Sequence, residues 1–145
     1  MPDEKMDVEE QIACLNRALR LQHRSVLQYS LVAGSVIGLE YQAHAEKMRQ
    51  HAASELEDAT RLVEKIAALG GDPTTEVADI SFRNDPSEAL DRLIEDESEA
   101  LEALQAAIEP TGREAASEAV EHRLEHMIMR KQEQVDYLLR ARRRP

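Results

Sequence analysis

Four stretches of the chain carry apolar side chains at the three- and four-residue intervals of an α-helix, and glycine or proline stands near each break between them. Each stretch therefore reads as a helix. The first opens at Asp7, which with Glu10 resembles a capping box, and runs through Leu15, Leu19, Val26, Tyr29 and Ala33 towards Gly34 and Gly38. The second follows Tyr41, Met48, Ala52, Leu56, Ala59, Leu62, Ile66 and Leu69, and stops at Gly70-Gly71-Asp72-Pro73. Asp85 as cap, Pro86 at the first helical position and Glu88 open the third, whose stripe is Leu90, Leu93, Leu101, Leu104 and Ile108 before Pro110. Thr111 with Glu114 gives a capping signal for the fourth, which carries Val120, Leu124, Met127, Ile128, Val135 and Leu138. The spacing predicts helices over 7–37, 40–69, 86–109 and 112–142, in one domain spanning 1–145.

Connection lengths select among the ways of packing four helices. Short links between the first and second and between the third and fourth helices make each pair antiparallel. Residues 70–86, rich in Gly, Pro, Thr, Asn and Asp, form a connection able to cover the length of a bundle, since extended chain spans about 3.3 Å per residue. The expected fold is all-α, a four-helix bundle with a long crossover between the second and third helices. Aromatic residues at 3% and the absence of Trp agree with helices rather than a sheet.

Charge and motif content narrow the partners. A net charge of -11 opposes general nucleic-acid binding, because phosphate contacts need clustered cations. Arg140, Arg142, Arg143 and Arg144 form a local exception, read as complementing the negative end of the last helix rather than as a DNA-binding tail. No apolar run reaches the roughly 18 residues that cross a bilayer, and the N-terminus does not resemble a signal peptide, so a cytoplasmic, soluble chain is expected. Cys14, the lone cysteine, sits among Ile12, Leu15 and Leu19 and reads as a small buried apolar group.

One level of the bundle breaks the apolar pattern. Gln22 lies between Leu19 and Val26, Glu55 between Ala52 and Ala59, Glu97 between Leu93 and Leu101, and Lys131 with Gln134 between Met127 or Ile128 and Leu138. All five stand near their helix midpoints and point inward. A buried charge costs several kcal/mol unless it is paired, hydrogen-bonded or bound to metal, so Glu55 and Glu97 require compensation. Slipping the last helix would bring Glu133 or His126 inward instead, at the expense of its apolar spacing.

Several segments resemble the bacterioferritins: Leu21 to Ala33 with Gln28-Tyr29, Glu55 to Pro73 with Arg61-Leu62-Val63-Glu64-Lys65-Ile66, the region of Glu97, and Val135-Asp136-Tyr137-Leu138. The Leu69-Gly70-Gly71-Asp72-Pro73 helix end is also similar to that of the DNA-protecting mini-ferritins. The resemblance covers most of the chain and implies a ferritin-like bundle with an iron-binding or iron-storage role. It further implies two irons held by one Glu from each of the first and third helices and a Glu-x-x-His pair from each of the others. Those positions fall on Gln22, Glu97, Glu55 with Asp58, and Lys131 with Gln134. Only Glu55 and Glu97 match.

The charges agree with that mismatch. Glu55, Asp58 and Glu97 less Lys131 leave two net negative charges for ions that would carry four positive ones. Lys131 between Glu55 and Glu97 would make a metal-free polar layer, whereas Glu55, Asp58 and Glu97 would serve as oxygen ligands for a single metal. His122 and His126, four apart, and His51 with Glu55 offer secondary metal pairs, although such spacings in charged helices also describe solvated surface groups. His23 and His44 show no evident partner. Haem of the bacterioferritin kind is not expected, because Leu56 stands where the resemblance implies a Met ligand.

A homo-oligomer, at least a dimer along the first two helices, is expected. The fifth helix that lines the bacterioferritin shell has no counterpart before Pro145. Two functions remain open: iron binding or storage with two-iron ferroxidase activity absent or weak, and a non-catalytic structural or partner-binding module with a Lys–Glu core. Iron and no cofactor at all are equally compatible with the residues.

Overall fold

A computed structural model describes residues 5–143, and Arg144 of the basic C-terminal run lies outside them. The described residues form α1 (Val8–Ser35), α2 (Gln42–Ala68), α3 (Pro86–Ala106) and α4 (Ala115–Arg142), with a 3-10 turn at Leu39–Tyr41. The expected element order and type are all present. No described helix is long and apolar enough to cross a membrane.

The helix ends follow local chemistry. Asp7 and Asp85 each accept a backbone N–H three residues on, from Glu10 at 3.2 Å and Glu88 at 3.0 Å, satisfying donors that the first turn leaves free. Gly70 takes φ 86° and Gly38 φ 113°, conformations open to glycine at little cost, and these turn the chain out of α2 and towards α2 respectively. Four boundaries lie two or three residues from where the sequence places them. The first helix ends at Ser35, the second starts at Gln42, the third ends at Ala106, and the fourth starts at Ala115. The Thr111–Glu114 box does not form. The Thr111 hydroxyl donates back to the Ile108 carbonyl at 2.7 Å, and the Glu114 carboxylate accepts instead from the Met6 backbone N–H at 2.8 Å and from the Ser117 hydroxyl.

Two apolar clusters establish the topology. Leu15 and Leu19 of α1 pack with Leu62 and Ile66 of α2, Leu104 of α3, and Val120 and Leu124 of α4. Tyr29 and Val32 pack with Met48, Ala89, Leu93 and Leu138. The late residues of α2 and α3 therefore share one end of the bundle, so these consecutive helices are parallel, and the chain between them must travel its whole length. It does so along α1. Asn16 binds the Asp72 carbonyl at 3.1 Å and the Thr74 N–H at 2.8 Å, the Ala78 N–H reaches the Arg20 carbonyl at 3.2 Å, and Ala78 packs on Leu21 and Ala100.

Between the two clusters the core turns polar. Gln22, Glu55, Glu97, Lys131 and Gln134 are all buried, as their positions in the stripes require. Glu133 and His126 are exposed, so the gap-free register of α4 holds. Leu56, counted in the second stripe, is instead 58% exposed, and Val26 and Ala33 are only half-buried. Their places inside are taken by Ser25, Gln28 and Val32.

Candidate metal centre

Each helix contributes to the central layer at the turn where its stripe is interrupted. The Lys131 ammonium from α4 lies 2.9 Å from Glu55 Oε2 of α2, 2.6 Å from Glu97 Oε2 of α3 and 3.4 Å from Ser25 Oγ of α1. All three of its donors thus have acceptors. The Ser25 hydroxyl donates to Glu97 Oε1 at 2.5 Å, and Gln22 points its amide N–H groups at the Glu55 carboxylate and at the Glu55 carbonyl, the latter at 3.0 Å. Glu55, Glu97 and Lys131 are each no more than 1% exposed.

The electrostatics follow from that enclosure. Burial alone would lower the Lys131 pKa, but Glu55 and Glu97 outweigh it, so the amine is held above its ordinary value and stays charged. Burial raises Glu97, with Lys131 and Ser25 opposing. One ammonium faces two carboxylates, and the layer carries one net negative charge when all three are ionised.

Asp58 is drawn elsewhere. Its carboxylate pairs with Arg130 of α4, and burial raises its pKa against the pull of that guanidinium. Gln134 is buried, with Oε1 lacking a partner, as does Glu55 Oε1. The described residues contain no group of three or more His, Cys, Asp or Glu side chains arranged to hold a metal.

A pair of divalent cations does not fit these residues. Gln22 presents N–H donors rather than a lone pair, Asp58 is neutralised by Arg130, and an ammonium stands between the two remaining acids. The net charge at the layer would offset a quarter of what two such ions bring.

The secondary histidines divide. His122 and His126 are exposed, with His122 3.5 Å from Glu118 and 3.9 Å from Glu125. His51 is buried rather than solvated, 6% exposed, because the rings of Tyr29 and Tyr137 close on it edge-first at 5.0 and 5.7 Å. Its pKa falls to about 4, chiefly through burial and secondarily through Lys47. His23 and His44 do have partners: His23 donates from Nδ1 to the Glu76 carbonyl at 2.8 Å, and His44 shares a hydrogen bond with the Tyr137 hydroxyl at 2.6 Å.

A second polar group escaped the sequence reading. Arg24 of α1 meets Asp96 and Glu99 of α3, at 3.6 and 2.7 Å, while Gln28 donates to Asp96 at 2.5 Å. Arg24 and Gln28 are four apart on one face of α1, and Asp96 adjoins Glu97. That spacing was the available signal.

Comparison with known proteins identifies the architecture. The model of the ferritin-like domain family matches residues 12–141, nearly the whole chain. The chain belongs to the ferritin-like domain family. The fold is similar to a ferritin-like diiron-carboxylate protein of Bacillus anthracis str. Ames, with TM-score 0.87 and 27% identity over 94% of this chain and 98% of that one. It is also similar to Rhodobacter capsulatus bacterioferritin, whose structure has a metal-free dinuclear site and haem iron, with TM-score 0.81 and 22% identity over 95% of this chain and 86% of that one. None of the curated proteins matches it. In this ferritin-like chain the layer of interrupted stripes, where the family resemblance implies metal ligands, is closed by an ion triad.

Lys131→Met should destabilise the protein by about 3–5 kcal/mol in urea unfolding, because it strands two buried carboxylates. Adding Glu55→Gln and Glu97→Gln should recover much of that loss. A Lys131→Met loss of about 0.5 kcal/mol, typical of surface substitutions, would contradict the burial of the ammonium.

His51 gives a pH signature. Between its ordinary 6.5 and about 4, the unfolded chain binds a proton there that the folded chain does not. Its contribution to stability is present above the unfolded value and lost as pH falls through the folded one. His51→Phe should flatten that part of the stability profile in urea titrations run across the interval. An unchanged slope would show that the folded chain protonates this ring normally.

Proposed function

We propose that this ferritin-like chain keeps an iron-binding role inherited with the family while its two-iron reaction centre has been exchanged for the Lys131–Glu55–Glu97 triad. Ferroxidase turnover of the two-iron kind is accordingly absent or very weak. The observation that carries the proposal is the Lys131 ammonium at 2.9 and 2.6 Å from the two acids. An ammonium there supplies the positive charge that the carboxylates need, and a cation entering the layer must first displace it. The link to iron rests on the neighbours' names, a diiron-carboxylate protein and a bacterioferritin, together with an acidic chain of net charge -11 whose surface attracts cations.

A non-catalytic structural or partner-binding bundle is the second reading. Gln22 and Gln134 favour it, since buried amides stand where the family resemblance implies a carboxylate and an imidazole ligand. Metal analysis of purified protein, then Fe(II) oxidation by dioxygen followed by absorbance, separates the two. The iron-binding reading expects bound iron, less than a pair per chain, with oxidation no faster than in protein-free buffer. A pair of irons with rapid oxidation would overturn loss of the centre. No bound iron, and no gain on Lys131→Glu, would favour the module.

Assembly forms part of the proposal. Leu27 and Leu56, 44% and 58% exposed, line with Val26, Val63 and Val77 a groove of about 600 Å³ on the α1–α2 face. We infer that a second copy of the chain covers this apolar surface in a homodimer. Sedimentation should give a dimer for the native chain and a folded monomer for Leu27→Glu with Leu56→Glu. A native monomer, or a variant that still dimerises, would contradict this interface.

A further inference from the structure

The outer side of α4 carries His122-Arg123-Leu124-Glu125-His126, away from the layer that Lys131 closes. Residues four apart on a helix stand about 5–6 Å apart at Cβ, the spacing by which two imidazoles from one helix grip a single metal ion. Leu124 fixes which way this pair points. It is buried in the core, and side chains two positions away on a helix face the opposite side, so both histidines are turned to solvent. The two rings line one surface recess of about 550 Å³, beside Lys65 of α2.

His122 has a carboxylate at each nitrogen. Nε2 lies 3.5 Å from Glu118 Oε2, and Nδ1 lies 3.9 Å from Glu125 Oε1. The second gap is shorter than two metal–ligand bonds of about 2.1 Å each, so one ion can touch both atoms. Glu118 then stands where an outer carboxylate takes the other ring N–H and orients a ligating imidazole. Among the described residues no three such side chains already converge. His122, Glu125 and His126 are all exposed, however, and exposed side chains change rotamer within nanoseconds, so closing on an ion requires no movement of the helix.

The chemistry of the donors selects the ion. Lys65 and Arg123 also line the recess, and Glu118 and Glu125 offset their charge. An anion drawn to the lysine and arginine would meet both carboxylates against His122. Magnesium and calcium favour oxygen ligands, whereas imidazole suits the borderline ions of the later first transition row.

We propose that His122 and His126, with Glu125, form a surface site for one divalent ion of the zinc class, with water completing its coordination. The site uses no residue of the Lys131–Glu55–Glu97 triad. Its ligands rank zinc above ferrous iron, so it is distinct from an iron-storage function.

Isothermal titration of the chelator-treated, full-length protein with Zn(II) tests the site. A saturable ion should bind with Kd below about 100 µM, and equimolar Fe(II) under anaerobic conditions should not displace it. His122→Gln and His126→Gln, both on the exposed face, should each weaken that binding at least about tenfold. His23→Gln, whose ring bonds the Glu76 carbonyl, should leave it unchanged. No saturation below about 100 µM, native affinity in both α4 variants, an equal loss in His23→Gln, or displacement by equimolar Fe(II) would overturn the proposal. Any of these would leave the account of the central triad standing.

Discussion

The Lys131 ammonium, enclosed by two carboxylates and a hydroxyl, is the interaction on which the middle of this bundle depends. Taking an ion out of water costs several kcal/mol, and a carboxylate buried between the apolar clusters without a partner would carry that penalty uncompensated. The triad resolves this by satisfying every ammonium proton and most of the carboxylate oxygens. It also ties α2, α3 and α4 together at one level, with Ser25 and Gln22 adding α1. All four helices are thereby fixed in mutual register, so the same contacts that neutralise charge also specify how the helices meet.

The consequence for chemistry is a matter of occupancy. Ferritin-like architecture brings four helix midpoints together, and what those midpoints carry decides whether the space attracts metal or repels it. Here one of the inward positions supplies its own cation, two supply amides, and Asp58 turns to Arg130. The fold is shared with proteins described as diiron-carboxylate and bacterioferritin, while the charge at the centre is distributed differently.

Much of this was legible in the sequence because two strong rules acted together. Apolar spacing placed the helices, and the lengths of the breaks set the crossover, so helix type and order emerged although their ends shifted by a few residues. The central layer was legible because Glu55, Glu97 and Lys131 are charged where the pattern requires apolar side chains. Other positions were silent for physical reasons. Ser25 is small enough to pass as neutral filler, and its role arises only when Glu97 and Lys131 arrive from distant segments. Arg24 and Asp96 each read as a flank residue until paired across α1 and α3. His51 gave a surface signal from its charged helix, and only the rings of Tyr29 and Tyr137 bury it. Leu56 fitted the stripe by spacing yet faces outward, because helical period alone does not fix the edge of a buried face.

The most direct measurement is anomalous diffraction at the iron edge from crystals grown with Fe(II). No iron peak is expected between Glu55 and Glu97, with the Lys131 amine in density bridging the two carboxylates. A pair of iron peaks among those acids, with the amine displaced towards solvent, would contradict it.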